Sequence, residues 1–300
     1  MIDALVVGRG MSVRSAIEEL ERIAGVSDSL GARRRPVSAV LTEPTPLHPA
    51  VMRYAESCER MLSSRAGRPV LDWLVEERSI RPEVVRLNRV GADPGPELFR
   101  RCVGIPCGGL AAVFPALDEF GAITYVQTRY LASAEGRSKF ENPIARLGTN
   151  PRVSFVLPAS VQRRDVLLVC EGLPDAYVAA SAGFEAIAVL GAGYPDRRVT
   201  DGIARRLTGA RRVVVAFDND DAGRRGTESL VRMLGERGLG TGVLSLPDGV
   251  NDISDWARAD PRWASAVPGE RPSLIQPYTP PRAMRPPVVA VPEPAVPGLA

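Results

Sequence analysis

Between residues 166 and 258 short apolar runs alternate with amphipathic stretches, and that rhythm admits few folds. DVLLVC reads as a strand, and PDAYVAASAG as a helix with proline near its start and glycine at its end. EAIAVLG is a strand and TDGIARRLTGA a helix. RRVVVAF is a strand, AGRRGTESLVRMLGERG a helix and TGVLSLP a last strand. Strands this uniformly apolar are buried on both faces. Helices between them supply the crossovers that parallel neighbours need, so the spacing predicts an α/β unit with a mostly parallel sheet.

The rest of the chain is organised differently. SVRSAIEELERIAG (12–25) has apolar residues at helical spacing and ends in glycine. Residues 26–47 form a polar, proline-rich connector. AVMRYAESCERMLSSRAG, RPVLDWLVEERSI and PEVVRLNRVG read as mainly helical. GLAAVFPAL and ITYVQTRYL read as strands around the turn DEFGA, and VSFVLP as another. Ten prolines fall in residues 268–300 with little apolar periodicity, which predicts a disordered tail. The expected divisions are 1–48 (short helix and linker), 49–164 (α+β), 165–260 (α/β) and 261–300 (tail).

Composition narrows the function classes. No apolar run approaches the ~20 residues of a membrane helix, and the N-terminus lacks the pattern of a signal peptide. The expectation is a cytoplasmic protein without membrane contact. Cys58, Cys102, Cys107 and Cys170 form no CxxC pair and His48 is the sole histidine, which argues against structural zinc. His48, in PLHPA, reads as a loop residue. Lys139 is the only lysine and precedes Phe140, so there is no Gly-Lys-Ser/Thr phosphate loop. A net charge of +3 agrees with a nucleic-acid partner without requiring one.

Two acidic motifs end strands, where open parallel sheets bind ligands. Glu171 follows VLLVC, and VVVAFDNDDAGRRG places Asp218, Asp220 and Asp221 directly after an apolar strand. Extended residues two apart point the same way. Asp218 and Asp220 are therefore expected to face one site with Glu171, with Asn219 turned away. Such carboxylates cannot all stay ionised unaided, and an all-oxygen donor set suits Mg²⁺ or Mn²⁺. Asp221 is the expected helix cap, and Asp175 is read as favouring the start of its own helix. Arg224 and Arg225, one turn on, are placed to balance that charge or to meet a triphosphate.

EGLPDA followed some forty residues later by AFDNDDAGRRG resembles the Toprim domain, and with LPDGVNDISDW most resembles the DnaG-type primases. The resemblance implies a Toprim-type mostly parallel sheet flanked by helices, preceded by an α+β primase-core subdomain. It implies catalytic roles for Glu171, Asp218 and Asp220. Those three residues and Asp252, the candidate from the last acidic patch (Asp248, Asp252, Asp255), would be the metal ligands. AAVFPALDEFGAITYVQTRYL followed by SKFENP is similar to the segment before Toprim in primases. On that likeness Arg129, Lys139 and Asn142 contact nucleic acid or nucleotide.

The implied function is RNA-primer synthesis on single-stranded DNA from ribonucleoside triphosphates, by two-metal nucleotidyl transfer. A replicative helicase or a separate zinc-binding protein would be partners. The chain departs from the family pattern in having no zinc ligands before residue 12, Ala111 where a basic residue often precedes FP, and no helicase-binding bundle after 258. A Toprim nuclease or phosphodiesterase of a mobile element, or a non-catalytic nucleic-acid-binding module, are the alternatives.

Overall fold

The structure, a computed structural model, describes residues 44–267 except 99, 133–137, 162, 192–194 and 208–211, together with 276–277. The expected helix over 12–25, nearly all of the connector and nearly all of the tail lie outside the described residues.

The chain enters through α1 (Pro49–Leu62). His48 caps it: Nδ1 accepts the Ala50 N–H at 3.1 Å, and Pro49 opens the first turn. This histidine therefore has a structural task beyond that of a loop residue. α2 (Arg68–Asp72) runs into a π-turn over Trp73–Glu77, and α3 (Pro82–Leu87) follows.

Nine strands make one sheet: β1 (Gly91–Asp93), β2 (Ala111–Leu117), β3 (Ile123–Tyr130), β4 (Phe140–Glu141), β5 (Val153–Val156), β7 (Arg163–Cys170), β8 (Phe184–Val189), β9 (Arg212–Ala216) and β10 (Thr241–Val243). The order is β10-β9-β7-β8-β5-β2-β3-β4, with β1 on β2. β10, β9, β7 and β8 are parallel, whereas β5 is antiparallel to β8 and to β2. The sheet thus runs without a break through the junction expected near residue 164. A short ribbon joins β6 (Ser160–Val161) to β11 (Gln276–Pro277).

The strand α4 (Leu173–Ser181) follows, β7, is buried on both faces, as its unbroken apolar run requires. Val166, Leu168 and Cys170 face one core with α4 and α7 (Ile253–Ala259). Leu167 and Val169 face another with α5 (Arg197–Arg206) and α6 (Asp221–Gly235). Each such side chain contributes about 1.5–3 kcal/mol of burial. In the antiparallel half, Tyr125 faces the first core, while its neighbour Val126 packs against α1 in a third. Gly91 lets α1 approach, since a Cβ there would lie 2.5 Å from that of Cys58.

Two expectations change. TGVLSLP is a strand only over Thr241–Val243. The acidic stretch beyond it contains the unanticipated α7, seven residues long, whose Trp256 packs with Trp263, and Trp263 in turn with Phe184. Those aromatic contacts hold a helix too short to persist alone.

Candidate functional site

β8 and β9 lie on opposite sides of β7, so the crevice outside the carboxyl ends of β7 and β9 is a topological switch point. Glu171 and Asp218 meet there: Glu171 Oε2 accepts the Asp218 N–H at 3.2 Å. The bond ties the two strand ends together and leaves Glu171 Oε1 pointing to no donor among the described residues.

Asp220, not Asp221, caps α6. Its Oδ1 accepts the Gly223 N–H at 2.7 Å, while Asp221 is the first helical residue and pairs with Arg224 at 2.6 Å. The backbone is still extended at Asp220, and the helix begins at Asp221. Asn219 is tied to the segment before α7, donating from its backbone to Asn251 O at 2.8 Å and from its side chain to Val250 O at 3.4 Å. Arg224 donates to Asn219 O at 2.8 Å as well as to Asp221, and so balances charge at the helix start.

Asp252 caps α7, its Oδ1 accepting from Asp255 N at 2.6 Å. Asp255 pairs with Arg258 and Asp248 is exposed. Asp175 belongs to this group, beyond any effect on its own helix. Its Oδ1 accepts from Ser254 N at 3.1 Å and Ser254 Oγ at 2.8 Å, which locks α7 to α4. The PDA of EGLPDA was the available signal: one helical turn carries Asp175 from the strand end to the same opening.

Five carboxylates from two strand ends and three helix starts therefore share one region. Burial, then Asp175, Glu171, Asp252 and Asp220 in turn, push the Asp218 carboxyl up to about 8. Burial and Asp252 raise Asp175 to about 6 against the hydrogen bonds from Ser254. Burial and Asp220 raise Glu171, opposed by the Asp218 N–H. The Asp218 carboxylate has no hydrogen-bond donor among the described residues.

Arg129 answers this charge from β3. Its guanidinium lies 4.9 Å from the Trp73 ring centre and 5.2 Å from that of Phe140. Burial and the like charge of Arg78 lower it to about 10, while Asp175 and Asp252 oppose the shift. Arg78, which the sequence did not single out, sits over Trp73 at 5.0 Å and acts electrostatically on both Asp175 and Arg129. Arg129 Nε is buried and has no acceptor among the described residues. Lys139 and Asn142 are exposed; Lys139 precedes the Phe140 stacked on Arg129, and Asn142 accepts from Gln127 at 3.3 Å.

The donor set fits a hard divalent cation: oxygen only, excess negative charge, and free second oxygens on both capping aspartates. Among the described residues no three acidic, histidine or cysteine side chains converge closely enough to hold one ion as they stand. Magnesium bound by one or two carboxylates with several waters needs no such cage.

Residues 168–257 match a family model described as Toprim-like. The chain carries a Toprim-like domain. The described region has the fold of a DnaG-type primase core. It superposes on the zinc-binding and RNA polymerase domains of the Aquifex aeolicus primase with a TM-score of 0.56 at 17% identity, covering 86% of this chain and 66% of that one. For a DNA primase domain from Pseudomonas aeruginosa the score is 0.57 at 19% identity, with coverages of 76% and 80%. A DnaG primase catalytic domain bound to single-stranded DNA gives 0.56 at 18%, with 73% and 79%. The chain spans just under two thirds of the Aquifex structure. No curated protein matches by sequence.

The Toprim-like domain depends on one glycine at its carboxylates. A Cβ on Gly223 would lie 2.1 Å from the Asp218 carbonyl oxygen, a backbone atom that cannot swing aside. Gly223→Ala is expected to displace Asp218, costing about 1–3 kcal/mol of stability. If the carboxylates bind Mg²⁺ as proposed below, isothermal titration of this variant is expected to show binding weakened by about tenfold or more, while the circular dichroism spectrum stays that of the wild type.

Proposed function

We propose that this protein is a nucleotidyltransferase of the primase type, extending RNA on a single-stranded DNA template from ribonucleoside triphosphates. The observation that carries the reading is the Asp218 carboxylate, without a donor among the described residues and ringed by four others, two of which, Asp175 and Asp252, also act on the half-buried Arg129. Excess negative charge beside a half-buried cation suits a metal-bound triphosphate better than either partner alone.

Asp218, Asp220 and Glu171, with Asp252 at the rim, would hold Mg²⁺ or Mn²⁺. Such ions stabilise charge on the attacking and leaving oxygens of an in-line displacement. Glu171 Oε1, on a carboxyl group whose affinity for protons is raised, takes up the proton as the primer 3′ hydroxyl attacks the α-phosphorus and pyrophosphate departs. The Arg78 and Arg129 guanidiniums, both held over the Trp73 ring, take the phosphate oxygens through their terminal nitrogens. Lys139 and Asn142 line the exposed approach along β4.

The test is incubation with single-stranded template, ribonucleotides and Mg²⁺. Short RNA products, lost on Asp218→Ala and reduced on Arg78→Ala, support synthesis. Cleavage of the template without nucleotides would replace it with hydrolysis at the same carboxylates. Neither activity with intact DNA binding would leave a passive binding module.

A further inference from the structure

A second cationic surface lies on the other side of the antiparallel half-sheet. Residues alternate sides along β3: Tyr125 and Arg129 share the face that packs against Trp73, and Val126 packs under α1. The outer flank of α1 is thus separated from Arg129 by the sheet itself. There, a cleft of about 300 Å³ opens between α1 and the segment around residues 100–105.

Arg53, Ser57, Arg100 and Arg101 line it, and no carboxylate does. Arg60 adds its charge by donating to Ser57 Oγ at 3.1 Å. Arg53, Ser57 and Arg60 fall at i, i+4 and i+7, which places them on one stripe of the helix. Arg53, Arg60 and Arg100 are exposed, and none has an acidic partner among the described residues. Arg101 is different: it is buried, paired through both terminal nitrogens to Asp93, and donates to Pro106 O at 2.8 Å. That anchor fixes the backbone carrying Arg100 opposite the α1 stripe. Unlike a solvated face on a single helix, the cleft takes arginines from two separate segments, Arg53 from α1 and Arg100 from the segment beside the Asp93 anchor, with Arg60 two turns along α1.

We propose that this cleft binds the phosphodiester backbone of a single-stranded nucleic acid, as a contact separate from the carboxylate site. The choice of nucleic acid rests on the proposed function; the charge and the cleft do not. An elongated anion with charges repeated along it matches an open cleft lined by Arg53 and Arg100 from two segments and continued along α1 by Arg60. A lone phosphate could engage one wall only. Guanidiniums contacting backbone oxygens carry no base preference, so the surface adds affinity and leaves sequence choice elsewhere.

The experiment compares the full chain with its Arg53→Ala/Arg60→Ala/Arg100→Ala variant, both checked for wild-type circular dichroism. The probe is a labelled oligothymidylate, read by fluorescence anisotropy across about 50–300 mM salt. Three lost phosphate contacts on a single strand are expected to reduce the slope of log K against log salt by about 2. An Arg232→Ala/Arg258→Ala/Arg262→Ala variant, with the same change in net charge, keeps the wild-type slope. Asp218→Asn also keeps it, so failure of the catalytic reading and failure of this one remain separate results. Oligothymidylate binding unchanged by the cleft substitutions overturns the proposal. So does a cleft that takes inorganic phosphate or oligoglutamate as tightly as oligothymidylate.

Discussion

Replacing Asp218 with asparagine is expected to lower the proposed nucleotidyl transfer by on the order of 10³-fold, and yet to raise the melting temperature of the metal-free protein. The two effects share one cause. Asp218 is held at about 8 by burial and by four neighbouring carboxylates, so without a cation it keeps a proton near neutral pH, and its charge destabilises the fold only as pH rises through that value. A folded-state pKa raised above the unfolded value near 3.8 means that the native state binds the extra proton. Its stabilising effect is complete below about 4 and lost as pH rises through about 8. Without divalent cation, wild-type stability should therefore fall between pH 4 and 8, with Asp175 contributing to the decline up to about 6. The asparagine variant should lose the Asp218 part of that slope and keep the parts due to Asp175 and Glu171. Mg²⁺ should stabilise the wild type most at the alkaline end and the variant little. Differential scanning calorimetry with chelator and with Mg²⁺, at both ends of the range, reads all of this. A metal-free variant less stable than wild type at pH 8 would contradict the electrostatic account.

The largest loss of stability is expected far from those carboxylates. Asp93 is fully buried and accepts from both terminal nitrogens of Arg101, from Tyr54 Oη at 2.7 Å and from Gly95 N at 2.9 Å. Asp93→Ala would strand a buried guanidinium, which costs about 3–5 kcal/mol. In a domain of this size each kcal/mol lowers the melting temperature by about 2–4 °C, so a drop on the order of 10 °C is the expected thermal-melt result. Asp93→Leu combined with Arg101→Met should recover most of it, because an apolar pair removes the unpaired charge instead of exposing it. A double variant no better than the single one would show that the pair supplies net stability. The same bond network braces the wall that carries Arg100, so Asp93→Ala should also weaken the oligothymidylate binding proposed for that cleft.

How much of this was readable before folding depends on how local the cause is. Periodicity located β7, α4, β8, α5, β9 and α6 because each is dictated by which side chains can be buried at a spacing of two or 3.6. The strand-end positions of Glu171 and Asp218 followed from the same runs. Reading Asp221 as the cap failed by one residue, since the helix start is set by the Asn219 N–H bond to Asn251 O and by the Asp220 side chain accepting from the Gly223 N–H, neither of which periodicity encodes. α7 was missed for a related reason: its seven residues are held by Trp256, Trp263 and the Asp175–Ser254 bonds, all of them distant in sequence.

By itself, then, the sequence determined the α/β rhythm, the oxygen-only character of the acidic motifs and the identity of the strands that present them. Only the tertiary structure decided that Asp175 joins that group, that Arg78 accompanies Arg129 on Trp73, and that Asp93 and Arg101 pair beneath a separate arginine cleft. The division is physical: secondary structure follows from nearest-neighbour burial along the chain, whereas charge acts through space. Charges that sum to only +3 along the chain become five crowded carboxylates, two stacked arginines and a basic cleft once the sheet has folded them together.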